Sequence, residues 1–285
     1  MAKKSIIIGT VILTLLIMFG FISKLFKGDD NGTKTKNPST IVLGMALLND
    51  TQKVHFKKIT DELKYKYELN ITEQNYDEEK GVGVIGLKNS QISIAMIDLP
   101  IPGDELEFPS QIAYLWPEAK DLTPKHKAHI IISVSSPDDT KLNMFKTFTK
   151  AASSILANTN SLGIYLGSQT LVLSTDFYIE GAKSMTDDDL PLMNWIYFGL
   201  REEDGKHSGY TYGLKEFGFN EIEILNSSYP VEDIQGMLFN ISHYIIQGNV
   251  TLNDGETIGL TEDQKIKIKK SKGVQLDGTT LKLEY

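Results

Sequence analysis

Three times along this chain, an apolar run of strand length is followed by a segment whose apolar residues recur every three or four positions. The first pair is TIVLGMALL, starting at Thr40, then DTQKVHFKKITDELKYKY, where Phe56, Ile59 and Leu63 share one helical face. The second is AHIIISV from Ala128, then SPDDTKLNMFKTFTKAASSILANT, with Leu142, Phe145, Phe148, Ala152, Ile155 and Leu156 in one stripe. The third is IEILNS from Ile222, then YPVEDIQGMLFNISHYIIQG, with Val231, Ile234, Leu238, Ile241 and Ile245 aligned. A helix with a single apolar stripe covers one side of a sheet and leaves its other side to water. The pattern therefore predicts an α+β domain, a mixed β-sheet with helices packed on one face. A duplicated ferredoxin-like arrangement fits it, although no repeat is legible in the residues.

Local signals place the ends of these elements. Ser136 reads as an N-cap with Pro137 at the first helical position, while Pro230 opens the third helix and Gly248 closes it. Further strands are expected at 81–87, 91–99, 162–166, 195–200 and 210–214. The C-terminal KIKIKKSKGVQLDGTTLKLEY alternates lysine with apolar residues, as half-exposed hairpin strands do. In NEIEIL the alternation predicts Ile222 and Ile224 facing inward, with Glu221 and Glu223 facing solvent. REEDGKHS, from Arg201 to Ser208, reads as the charged tip of a hairpin.

The N-terminus differs in kind. An uncharged apolar run extends from Ser5 to Ser23 and continues to Phe26, flanked by Lys3, Lys4, Lys24 and Lys27. As a helix it would be roughly 33 Å long, enough to cross a hydrocarbon core of about 30 Å. Bulky residues stand where a signal peptidase needs small ones. The expected organisation is a transmembrane anchor at 1–27, a polar tether at 28–39 and a folded domain at 40–285. The localisation expected is a single-pass cell-membrane protein with its domain on the cytoplasmic side.

Several function classes are excluded or disfavoured. A formal net charge of -8 repels phosphate backbones, so nucleic acid is not an expected partner. The absence of cysteine removes disulfides, thiolate nucleophiles and thiolate metal sites. GVGVIG, from Gly81, matches a dinucleotide-binding spacing by letter, but a charged segment precedes it and no helix follows. No dinucleotide or other cofactor is expected. Motifs for serine nucleophiles, zinc peptidases, phosphate loops and calcium loops are missing.

The residues that remain as candidates are few. His126 and His129 lie three apart at the start of a strand. With Glu118, or with Glu105 and Glu107, they could form a metal or acid–base site; otherwise His129 is buried against backbone and His126 is exposed. Trp116 serves either as a core anchor or as a stacking platform. Tyr210, Tyr212, Glu216 and Arg201 crowd the stretch around YTYGLKEFG, which either turns a sheet corner or floors a ligand or partner groove.

WIYFGLRE, followed by YTYGLKEFGFNEIEI, a helix and DGETIG at Asp254 to Gly259, resembles the bacterial family called domain of unknown function 4261. The resemblance is firmest from Trp195 to Tyr285, and ELEFP, WPEA and HKAH resemble the segment preceding it in that family. It implies a fold but carries over no catalytic residue. The family's members are mostly soluble, so the apolar N-terminus is a departure that places function at a membrane surface. The leading expectation is a membrane-tethered, non-enzymatic protein-binding domain, of the kind that neutralises a toxin. The alternatives are a metal-dependent or acid–base hydrolase built on His126 and His129, and a small-ligand sensor.

Overall fold

A computed structural model describes residues 40–285. The apolar run between Ser5 and Phe26 and the tether at 28–39 lie outside the described residues; among those described, no helix is long and apolar enough to cross a membrane.

β1 (Thr40–Leu48) is paired on both sides, antiparallel to β5 (Ala128–Ser136) and to β6 (Ser161–Leu166). Around it grows a seven-stranded sheet in the order β2-β3-β4-β5-β1-β6-β7, every pairing antiparallel. Its other strands are β2 (Ile71–Asp77), β3 (Val82–Leu87), β4 (Gln91–Ile97) and β7 (Leu171–Ser174). α1 (Phe56–Tyr65) follows β1, and α4 (Lys141–Ala157) joins β5 to β6. The segment between β4 and β5 contains the short helices α2 (Glu107–Gln111) and α3 (Ala119–Leu122). The order β4-β5-β1-β6, with α1 and α4, is that of one ferredoxin-like unit, widened by the β2–β3 hairpin and by β7.

One face of this sheet is closed by helices. Val42, Ala46, Ile130, Ile132, Val134, Ile92 and Ile94 are buried there. Period-2 alternation puts them all on one side. Each such residue contributes about 1.5–3 kcal/mol by leaving water. Phe56 of α1 lies over Gly83, where an added Cβ would come 2.2 Å from its ring. Gly83 and Gly86 are thus strand residues, Gly81 lies in the β2–β3 turn with φ 64°, and Gly83 makes room for a helix to settle.

The second sheet runs β11-β12-β13-β10-β9-β8. β8 (Tyr197–Glu203), β9 (Lys206–Tyr212) and β10 (Ile222–Ser227) form a meander. α6 (Val231–Gly248) then crosses over so that β13 (Thr279–Leu283) pairs parallel to β10. β11 (Thr257–Ile258) and β12 (Ile266–Lys272) complete the edge. The sheet is mixed, as expected, but a meander followed by one crossover is not a second ferredoxin-like unit, so the expected duplication is corrected to a single unit. The strands β8 and β9 run through most of REEDGKHS. Only Asp204 and Gly205, with φ of 50° and 68°, form the turn, a two-residue loop with both residues left-handed.

α4 joins the two sheets. Phe145 stacks on Phe217 with centroids 4.4 Å apart and is tilted against Trp195 at 5.7 Å. The Trp195 indole N–H donates to Thr149 Oγ1 at 2.7 Å. The single-stripe expectation for this helix therefore fails: Thr149, Ser153 and Ser154 are also buried. The helix begins at Lys141 with Thr140 as its cap, not at Ser136; Ser136 instead accepts the amides of Asp138 and Asp139 in a preceding turn. α5 (Thr175–Ser184) packs beside α4.

The expected orientation of the NEIEIL glutamates is overturned. Glu221 is 1% exposed and Glu223 0%, as buried as Ile222 and Ile224. Glu223 accepts the amides of Val274, Gln275 and Leu276 at 2.7–3.2 Å, the Thr280 hydroxyl at 2.9 Å and Lys282 Nζ at 2.8 Å. Glu221 accepts the amides of Gly213, Leu214 and Lys215 and the Thr211 hydroxyl. Each carboxylate fills a concavity of consecutive N–H groups and so fixes a loop that has no ladder partner.

Candidate functional site

The other face of the first sheet is closed only in part. The chain leaving β4 reads LPIPG, in which Pro100 and Pro102 restrict the backbone and Gly103 turns it at φ 75°. This segment runs back across the sheet face as a roof. Ile101 is its anchor, buried with Leu47, Leu106, Trp116, Tyr165 and Val172 in a small second core.

Two histidines hold the roof. His129, on β5, is buried and donates from Nδ1 to the Leu99 carbonyl at 2.8 Å. His126, also buried, accepts the Ile101 amide at Nε2 at 2.7 Å and donates from Nδ1 to the Thr123 carbonyl at 2.5 Å. These bonds fix both tautomers, because a carbonyl can only accept. Burial pushes both imidazoles below their ordinary pKa, and the backbone bonds offset this only in part.

Between roof and sheet lies a pocket of about 430 Å³. Leu43 and Met45 of β1, Ile131 of β5 and Tyr165 of β6 form its floor, and the residues of the roof form one wall. The register explains the convergence: Met45 pairs with Ile131 on one side and with Tyr165 on the other, so the three share one row of the sheet. Among the described residues, the polar side chains that line the pocket are Glu105, His129, Ser168 and Tyr165. Burial, then the charge and hydrogen bond of Glu105, hold the Tyr165 phenol far above its ordinary pKa. Its volume falls within the range of small-molecule sites.

Of the residues singled out in the sequence, His129 and Glu105 line this pocket. His126 stands behind it with both ring nitrogens engaged, contrary to the exposed position expected in its structural reading. Glu118 and Glu107 are exposed, and among the described residues no three of His, Cys, Asp and Glu come together to hold a metal. Trp116 is buried in the second core, with its ring against Gly163. The residues around YTYGLKEFG do not converge on one groove. Arg201 is exposed and pairs with Glu203 at 3.1 Å. Glu216 reaches Lys141 at 3.7 Å. Tyr210 covers Gly199 and tilts against Tyr197 at 6.2 Å, and Tyr212, half-buried at the end of β9, pairs across the ladder with Tyr197. The floor residues carried no signal, because apolar residues on both faces of a central strand look alike in sequence.

Fold and site together define an α+β protein of two sheets, with a roofed apolar pocket on the side of the first sheet that the long helices leave free. A family model described as a domain of unknown function, DUF4261, matches residues 210–284, from the end of β9 through β13. No curated protein and no solved structure matches the chain. The matched stretch contains Glu221 and Glu223 with the loops they hold, whereas the pocket lies upstream of it.

Proposed function

We propose that this is a non-enzymatic binding protein, tethered to a membrane by the apolar run at 5–26, whose pocket takes up the apolar part of a small ligand. The observation that carries this reading is the pocket itself: an apolar floor with a few polar groups at one side, beneath a segment fastened at Leu99 and Ile101. The small-ligand alternative is preferred to a protein partner because the site is a pocket of about 430 Å³ and not a broad patch. It is preferred to hydrolysis because His126 spends both ring nitrogens on backbone and His129 spends Nδ1, and no hydroxyl among the described residues is bonded to either ring. A general base needs a proton to take and a nucleophile within reach.

The test is to fill the pocket. Ile131→Trp should abolish binding of 4-phenylbutan-1-ol to the full-length protein, followed through the Met45 methyl resonance of 13C-methyl-methionine protein. Binding that survives in a folded Ile131→Trp variant contradicts the reading.

A further inference from the structure

We infer that the pocket selects a protonated amine carried on an apolar body; this rests on reading the pocket as a ligand site. The side chains lining the pocket offer more acceptors than donors. The Glu105 carboxylate and the Tyr165 hydroxyl line the same pocket, and the carboxylate can only accept. The His129 Nδ1 proton goes to the Leu99 carbonyl, so the ring's remaining nitrogen is an acceptor. Glu105 is an acceptor by nature, is exposed at the pocket wall, and takes part in none of the ion pairs among the described residues. The Ser168 and Tyr165 hydroxyls can act either way.

Among the described residues, no lysine or arginine lines the pocket. A carboxylate or phosphate ligand would therefore meet like charge at Glu105, with no cation to offset it. A neutral apolar ligand would be admitted but would leave these acceptors facing nothing. An alkylammonium supplies three donors and a positive charge while its body covers Met45 and Ile131.

The test compares three probes of one shape on full-length 13C-methyl-methionine protein near neutral pH: 4-phenylbutylammonium, 4-phenylbutan-1-ol and 4-phenylbutyrate. From the Met45 shift, the ammonium should bind at least about tenfold more tightly than the alcohol, with the carboxylate weakest. Glu105→Gln should bring the ammonium to within about threefold of the alcohol. Equal binding of all three probes, lost in Ile131→Trp, would overturn the amine selectivity while leaving the pocket as a ligand site. No Met45 shift with any probe would overturn both.

Discussion

His126 and His129 grip one backbone segment at alternate residues: His126 Nε2 takes the Ile101 amide at 2.7 Å, and His129 Nδ1 gives its proton to the Leu99 carbonyl at 2.8 Å. Neither bond is available to a solvent-facing ring, so both substitutions to alanine should destabilise. His126→Ala strands the buried Ile101 amide, at a cost of about 1–3 kcal/mol, and His129→Ala loses the bond to Leu99 together with the packing of a buried ring. Urea denaturation measures this, and a His126→Ala variant of unchanged stability would show that Ile101 finds another partner.

The same pair sets a dependence on acid. Both rings have folded pKa values below 6.5, so between those values and 6.5 the unfolded chain binds more protons than the folded one. The stability that the neutral rings contribute is complete above about pH 6.5 and is lost as the pH falls from there through the lower folded pKa of each ring. Protonating His126 at Nε2 also removes the acceptor for Ile101. Hydrogen exchange of the Ile101 amide should accelerate on going from pH 7.5 to 5.5 beyond a correction for intrinsic rates, and the acceleration should be smaller in His126→Gln.

Glu221 and Glu223 should respond to pH with opposite slopes. Burial alone would raise Glu223, but Lys282, the loop amides and Thr280 together bring it below its ordinary value of 4.5. Its contribution is therefore present above pH 4.5 and is lost as the pH falls from there through its lower folded pKa. For Glu221, burial outweighs its four donors and raises the carboxyl, so the wild type gains stability as the pH falls toward 4.5. The cost of Glu223→Gln should thus shrink between pH 7 and 4, while that of Glu221→Gln should grow. Glu223→Ala, which strands the loop amides and removes the counter-charge of half-buried Lys282, should cost about 1–3 kcal/mol at neutral pH. Parallel slopes in denaturation experiments would refute this assignment.

Gly163 lies against the Trp116 ring and the Leu173 carbonyl, with an added Cβ coming 2.7 Å and 2.2 Å from them. Gly163→Ala should cost about 1–3 kcal/mol by overpacking. It should also shift Trp116 fluorescence, because the ring has to move to make room. A variant with wild-type stability and emission would mean that the sheet yields at that point.

What was legible in the sequence was whatever short-range periodicity encodes. The stripe from Ile234 to Ile245, the strand beginning at Ala128 and the end of α6 at Gly248 all follow from neighbours within a few residues. The glutamates misled because alternation of Ile and Glu signals a half-exposed strand unless something distant buries the acid. Here the partners of Glu223 are 51–59 residues further along the chain. His126 misled for the same reason, its partner Ile101 being 25 residues away. The pocket left the weakest trace. His129 and Glu105 could be flagged by type, but Met45, Ile131 and Tyr165 come together only through strand register, which no local pattern specifies.

The most direct measurement is a crystal structure of the protein with 4-phenylbutylammonium. The account predicts the phenyl ring between Met45, Ile131 and Tyr165 beneath residues 99–102, with the nitrogen beside Glu105. An empty pocket at saturating ligand, or a ligand bound elsewhere on the molecule, would contradict it.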